Sequence, residues 1–319
     1  MASQSKLPLI RLWITRYWRN WLVYLWMRST ARLPYSTQLA LGKRIGRLMY
    51  TILPNRRLVA RRNLELCFPG LSRPEHESLL KRHFESVGAA TAEMSMGWFG
   101  SEQIIHQLVH VEGSSNLTTA LQKGTGVILF SGHFTTFEFF FPVLKKFCPW
   151  LCAMYKTQRS PLMDRIMHKG RSRSIDELLP KTRVRAMLKS LSKNAVVWYA
   201  SDQSYHQKQS ELVPFFNQPA MTNTAISRIA KTSGATVLPY FCRRLENDSG
   251  YVMNIGGPLE NFPTNNAIED TRRLTALLEE YIQLCPEQYF WIHRRFKGRP
   301  EPHPNPYQTK NDYETHAKK

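Results

Sequence analysis

Acidic residues are missing from the start of the chain. None precedes Glu65, while Lys6, Arg11, Arg16, Arg19, Arg28, Arg32, Lys43, Arg44, Arg47, Arg56, Arg57, Arg61 and Arg62 all fall there. A segment of one sign asks for an anionic partner, whether nucleic acid, an acidic protein or an anionic membrane. Long apolar runs are lacking as well. The longest uncharged piece in the first 34 residues, Asn20 to Met27, is far short of the ~20 residues a membrane span needs. Arg11, Arg16 and Arg19 interrupt any signal-peptide core, and no small-residue cleavage site follows.

Paired cysteines are also missing. Cys67, Cys148, Cys152, Cys242 and Cys285 form an odd, scattered set, which argues for a reducing compartment and against a disulfide frame. Cys148 and Cys152 lack the two-residue spacing of zinc or redox pairs and read as packing residues. His168, His206 and the other histidines show no metal-ligand spacing. Neither a metal nor a bound cofactor is expected. Glycine-rich phosphate loops and a Gly-x-Ser-x-Gly nucleophile turn are absent. No helix-turn-helix, zinc-finger or RNA-binding signature is present, so nucleic acid is not the expected partner.

What is present is a globular composition of 319 residues, 42% hydrophobic and 21% charged, with a net charge of +20. Large aromatics interleave the N-terminal arginines at roughly helical spacing: Trp13, Tyr17, Trp18, Trp21, Tyr24 and Trp26. Rings beside a basic face suit a bilayer interface, where arginines meet lipid phosphates. An amphipathic helix packed on the protein's own core is the alternative.

Residues 1–34 therefore read as a membrane-anchoring segment and 35–97 as a helical region packing on the core. Residues 98–303 read as an α/β core and 304–319 as a polar tail. Helices are expected at Ser36 to Leu53, at Arg56 to Leu66, and from the Ser72 cap to near Gly97. Beyond that, apolar runs at Val127 to Phe130, Leu151 to Tyr155, Ala195 to Tyr199, Val237 to Phe241 and Tyr251 to Ile255 alternate with helical stretches. Those stretches are Glu138 to Lys146, Pro161 to Gly170, Val184 to Ser192, Asn223 to Ser233 and Ala267 to Leu284. Such alternation specifies an α/β fold, a mostly parallel central sheet flanked by helices, here with a helical, membrane-associated N-terminal region.

Sites gather in loops at the C-terminal ends of parallel strands. Ser131-Gly-His133-Phe-Thr-Thr-Phe-Glu138 occupies such a place. An imidazole backed by a carboxylate can take a proton from a hydroxyl near neutral pH, the carboxylate fixing its tautomer. Thr135-Thr-Phe-Glu138 is equally a capping box, so Glu138 reads either as the partner of His133 or as a helix cap, and the two roles are compatible. Ser201-Asp202-Gln203 repeats the strand-to-polar transition, and Asp202 lines the same crevice, as a substrate-binding residue, if the two strands are neighbours; a turn cap is the alternative. Arg171 and Arg173, in Lys169-Gly-Arg-Ser-Arg173, suit an anionic group or simply end a helix. Val213-Pro-Phe-Phe-Asn-Gln-Pro219 reads as an apolar loop, more naturally packed in the core than lining a pocket. His293-Arg-Arg295 either faces the site or ends a strand.

Taken in order, these segments resemble the lipid A biosynthesis lauroyl/myristoyl acyltransferases, the late-acylation family with a His-x4-Asp/Glu motif. The likeness is carried by Arg61-Arg-Asn-Leu-Glu-Leu-Cys-Phe-Pro69, Ser131-Gly-His133-x4-Glu138, Gly170-Arg-Ser-Arg173 and Ser201-Asp-Gln203. It continues in Val213 to Pro219, Thr222-Asn-Thr224, Ser233-Gly-Ala235 and Cys285 to Phe296. Two features depart from the family: its anchor is usually longer and cleaner, and the usual Pro-Asp-Gln is here Ser-Asp-Gln. The resemblance implies transfer of a fatty acyl chain from acyl carrier protein to a hydroxyacyl hydroxyl on a Kdo-bearing lipid A precursor. It places this at the cytoplasmic face of a Gram-negative inner membrane, against an anionic surface. His133 would be the general base, Glu138 its partner, Arg171 and Arg173 phosphate ligands, and backbone N–H groups around Gly132 the oxyanion donors. Two rivals remain open. One is the same chemistry on a lysophospholipid or glycolipid; the other is a non-catalytic membrane-binding protein.

Overall fold

A computed structural model describes residues 18–204 and 209–308. The helices are α1 (Trp18–Thr30), α2 (Tyr35–Ile52), α3 (Pro54–Cys67), α4 (Arg73–Phe99), α5 (Glu102–Leu108), α6 (Ser114–Leu121), α7 (Phe141–Lys145), α8 (Pro161–Arg171), α9 (Val184–Leu191), α10 (Ala225–Ser233) and α11 (Ala267–Leu284). The strands are β1 (Val109–Glu112), β2 (Val127–Ser131), β3 (Leu151–Tyr155), β4 (Glu177–Pro180), β5 (Val196–Ala200), β6 (Ser210–Phe215), β7 (Gln218–Asn223), β8 (Thr236–Arg244) and β9 (Tyr251–Ile255). Seven strands form one sheet in the order β1-β9-β8-β2-β5-β3-β4. Every pairing in it is parallel except β8 with β9.

A sheet covered on both faces requires strands that are apolar on both sides. β2 is buried along its whole length. Its Ile128 and Phe130 enter a core shared with α3, α9, α10 and α11. Val127 and Leu129 enter the opposite core, with α5, α6 and α7. The apolar runs expected as strands are all strands, and the long helices fall within a few residues of their expected bounds. The elements that the sequence does not announce are short or carry weak signals. β1 alternates, at the sheet edge. β4 ends in Pro180. Val213 to Pro219, expected as a loop, is the hairpin of β6 and β7, turned by Phe216 and Asn217 at φ of 50° and 57°. Left-handed turns normally advertise themselves with Asn-Gly or Asp-Gly, and a Phe in that place hides the signal. Phe215 packs against Tyr289, Trp291 and Phe296, so the segment is core.

α2 and α4 cross at glycines. A Cβ on Gly88 would overlap the backbone of Gly42 and Gly46, so the helices meet backbone to backbone. Gly88→Ala is expected to destabilise the fold by about 1–3 kcal/mol through overpacking, read as a lower denaturation midpoint at unchanged slope.

α1 is divided between the two readings of the N-terminus. Met27, with Trp21, Tyr24 and Trp26, packs on Trp98, Leu162 and Ile166, as a helix resting on its own core does. Trp18, Leu22, Val23 and Leu25 are exposed. Among the described residues no helix is long and apolar enough to cross a membrane. Lys6, Arg11, Trp13, Arg16 and Tyr17 lie outside the described residues, as do His206 and residues 309–319. The segment expected as a polar tail begins by joining the core. Tyr307 is buried, donates its hydroxyl to Asn63 Oδ1 at 2.5 Å and accepts from the Phe296 N–H at 2.9 Å.

Candidate active site

β2 and β5 are parallel neighbours with Ser131 opposite Ala200. His133 and Asp202 each sit two residues past those partners, so the register delivers both to one point at the C-terminal edge of the sheet. His133 Nδ1 lies 2.5 Å from Asp202 Oδ1, and the His133 N–H donates to Asp202 Oδ2 at 2.9 Å. An ionised carboxylate only accepts, so Nδ1 carries the proton and Nε2 is left free to accept one. Burial pushes the Asp202 carboxyl upward. The attraction of the His133 ring, with hydrogen bonds from His133 and Tyr289, outweighs that and holds it well below the usual carboxylate range. Burial, then the charge of Asp202, drives the Tyr289 phenol well up, so Tyr289 stays protonated beside that carboxylate.

The expected His133–Glu138 couple is not what the structure forms: no hydrogen bond joins them, and the carboxylate on the imidazole is that of Asp202, whose two oxygens are spent on His133 and not on substrate. Glu138 accepts from Arg171 Nε at 2.9 Å and from Arg171 Nη2, and from the Trp98 indole N–H at 3.1 Å. The capping box is not formed either. Phe137–Phe140 is a single 3-10 turn with no side-chain cap, and Thr135 Oγ1 instead pairs with Ser86 Oγ at 2.7 Å. Four residues after the histidine, a tight 3-10 turn carries Glu138 toward α4 and α8.

Arg171 and Arg173 are likewise engaged within the protein. Arg171 is nearly buried on Glu138, and Arg173 reaches Glu102 at 3.2 Å and the Gly100 carbonyl at 2.7 Å. Gly170 explains the placement, since a Cβ there would overlap the Trp98 ring; its absence lets the indole and the Arg171 guanidinium converge on one carboxylate. The backbone amides after Gly132 are also occupied. That of His133 goes to Asp202, that of Phe134 to the Gly132 carbonyl, and that of Thr135 to the Gln288 carbonyl at 2.7 Å. They are therefore not free oxyanion donors in this conformation.

Several contributors escaped sequence reasoning. Trp198 on β5 stands edge-on to the His133 ring and stacks on Phe137 at 5.3 Å. Asn63 donates to the Trp291 and His293 carbonyls at 2.6 and 2.7 Å, and the Phe290 N–H donates to the His133 carbonyl at 3.0 Å. His293 faces the site: with Asn63, His133, Asp202, Gln203, Tyr289, Phe290 and Arg295 it lines a void of about 10 Å³. Burial lowers its pKa to about 4, so it is neutral near pH 7. His293 is not among those missed: the sequence offers it as facing the site or ending a strand, and it faces the site.

On its other side His133 opens into a cavity of about 580 Å³, walled by Met154, Val184, Met187, Trp198 and Tyr199 and edged by Lys181, Gln203 and Asn223. A larger cleft of about 920 Å³ lies between α2, α4 and the end of β8. It includes neither His133 nor Asp202 and carries charges of both signs, so the chemistry belongs to the smaller one. Among the described residues no group of three or more His, Cys, Asp or Glu is placed to hold a metal ion.

A mostly parallel sheet whose central strands end in a His–Asp couple, at the mouth of a cavity with one apolar wall and a polar rim, defines an α/β protein equipped for proton removal beside an amphipathic substrate. The chain belongs to the bacterial lipid A biosynthesis acyltransferase family, whose model matches residues 8–298. It is 34% identical over 293 residues to the lipid A biosynthesis palmitoleoyltransferase of Escherichia coli K12, covering 89% of this chain and 93% of that one. It is also 34% identical over 295 residues to the lauroyltransferase of the same strain, covering 92% and 95%. The myristoyltransferase of that strain is 25% identical over 299 residues, covering 93% of each chain. Family membership supports an acyl-transfer activity in lipid A biosynthesis.

Proposed function

We propose that this protein is a late acyltransferase of lipid A biosynthesis. It moves a lauroyl- or myristoyl-type chain from acyl carrier protein to the hydroxyl of a hydroxyacyl chain on a Kdo-linked lipid A precursor. The observation that carries this function is the His133–Asp202 couple opening onto the 580 Å³ cavity. His133 Nε2 takes the hydroxyl proton while Asp202 holds the Nδ1 proton and balances the imidazolium. The alkoxide attacks the thioester carbonyl, the tetrahedral intermediate collapses with cleavage of the C–S bond, and the leaving thiolate takes the proton back from His133. Glu138 and Arg171, buried together beside the His133 turn, act as positioning residues for it. Work of this kind belongs at the cytoplasmic face of the inner membrane, and the exposed Trp18, Leu22, Val23 and Leu25 of α1 supply a face for shallow insertion.

Labelled acyl carrier protein donor with tetra-acylated or penta-acylated lipid A acceptor, followed by mass spectrometry of the product, tests the assignment. His133→Ala is expected to remove nearly all transfer while membrane association persists. Turnover like that of the wild type in this variant sinks the mechanism, and product on a lysophospholipid alone reassigns the acceptor.

A further inference from the structure

The basic charge of this chain is not confined to its N-terminus. From Leu178 to Ser201 it carries Lys181, Arg183, Arg185, Lys189 and Lys193 and no carboxylate. The backbone gathers several of them beside the site. β3 and β4 pair in parallel with Tyr155 opposite Pro180, which sets Lys156 beside Lys181 at the C-terminal edge of the sheet. The chain then turns into α9, with Arg183 at its cap and Arg185 in its first turn. Lys156, Lys181, Arg183, Arg185 and Lys189 are all exposed. Among the described residues none of the five forms an ion pair.

Helix energetics do not account for this placement. The N-terminal end of a helix carries partial positive charge, so two arginines there, with no acidic residue in the first turn, work against α9. The face also borders the chemistry, because Lys181, Thr182 and Val184 line the same cavity as His133. Its apolar content is slight: Val184 is its one large exposed apolar residue, at 41%. A bilayer needs apolar groups to insert as well as cations to meet phosphates, and those groups are on α1. Charge with little grease suits an acidic protein surface.

Resting on the acyl-transfer function proposed above, we infer that the face of Lys156, Lys181, Arg183, Arg185 and Lys189 is the docking surface for the acidic protein that delivers the acyl thioester. The partner lies across the start of α9, and its thioester arm passes Lys181 and Val184 into the cavity that ends at His133. Cations at the rim raise the encounter rate and set orientation.

The test is the double variant Arg183→Glu/Arg185→Glu in the full chain. It touches neither the His–Asp couple nor the cavity wall and suits the helix dipole better than the native pair, so loss of fold does not explain its effect. Two donors are compared: lauroyl-acyl carrier protein, and the short, uncharged lauroyl thioester of N-acetylcysteamine. The KM for the protein donor is expected to rise by about tenfold or more, and its steep salt dependence to flatten. With the small thioester both kcat and KM should match the wild type, as should sedimentation with phosphatidylglycerol-containing vesicles. An unchanged KM for the protein donor overturns the inference. So does vesicle binding that falls while the donor KM holds, which makes the face a lipid surface. Should the wild type transfer from neither donor, the acyl-transfer function fails; fluorescence anisotropy of labelled carrier protein on the wild type and the double variant then still decides the docking face.

Discussion

Asp202→Asn is expected to lower kcat by about 10³- to 10⁴-fold with the fold intact. Asn is isosteric, and its amide oxygen keeps the hydrogen bond from the His133 N–H. Its NH2 group, however, offers a donor where the carboxylate accepted. The His133 Nδ1 must then accept, the ring proton moves to Nε2, and the nitrogen meant to take the hydroxyl proton no longer has a lone pair to offer. The counter-charge for the imidazolium is lost as well. Steady-state kinetics at saturating donor and acceptor, beside thermal denaturation of the same preparation, give the answer. A kcat near that of the wild type, together with a collapse in Glu138→Gln, would return the partner role to Glu138.

The second large effect concerns stability. Glu138 and Arg171 have side-chain exposures of 6% and 13%, and they satisfy each other with Trp98 as a third partner. Removing one leaves the other charged and buried, so Glu138→Ala and Arg171→Ala should each cost about 3–5 kcal/mol of folding stability. Glu138→Leu combined with Arg171→Met removes both charges at similar volume and should recover most of that loss, because a buried pair replaced by apolar groups is often neutral or better. Denaturant titration of the two single variants and the double variant reads the coupling directly. Additive losses would show that the pair is not a unit. Asp202→Asn should show no comparable loss, which separates the chemical couple from the structural one.

Much of the scaffold could be read from the chain because its signals are local. The apolar runs of β2, β3, β5, β8 and β9 are bounded by turns, Ser72 with Glu75 opens α4, and the glycine of Ser131-Gly-His133 marks the end of a strand. Even the neighbouring of His133 and Asp202 was conditional on one pairing alone. The hairpin of β6 and β7 stayed hidden because its turn is made by Phe216 and Asn217. The packing of Tyr307 stayed hidden because one aromatic in a polar stretch carries no period.

The role of Glu138 shows where local reasoning stops. Five residues from the histidine, it has the right chemistry and the right proximity along the chain, yet direction in space is set elsewhere. A 3-10 turn, a glycine on α8 that admits the Trp98 ring, and an arginine at that helix's end draw its carboxylate away from the imidazole. Meanwhile the parallel register of β2 and β5 brings in Asp202 from 69 residues away. The amino-acid sequence by itself determined the α/β layering, the strand-end position of His133 and the family, since periodicity, turn chemistry and ordered motifs are properties of the chain. Which carboxylate meets the imidazole, and which cations stand free at the mouth of the cavity, was decided by tertiary structure alone. Both depend on strand register and helix packing between segments that the chain does not hold together.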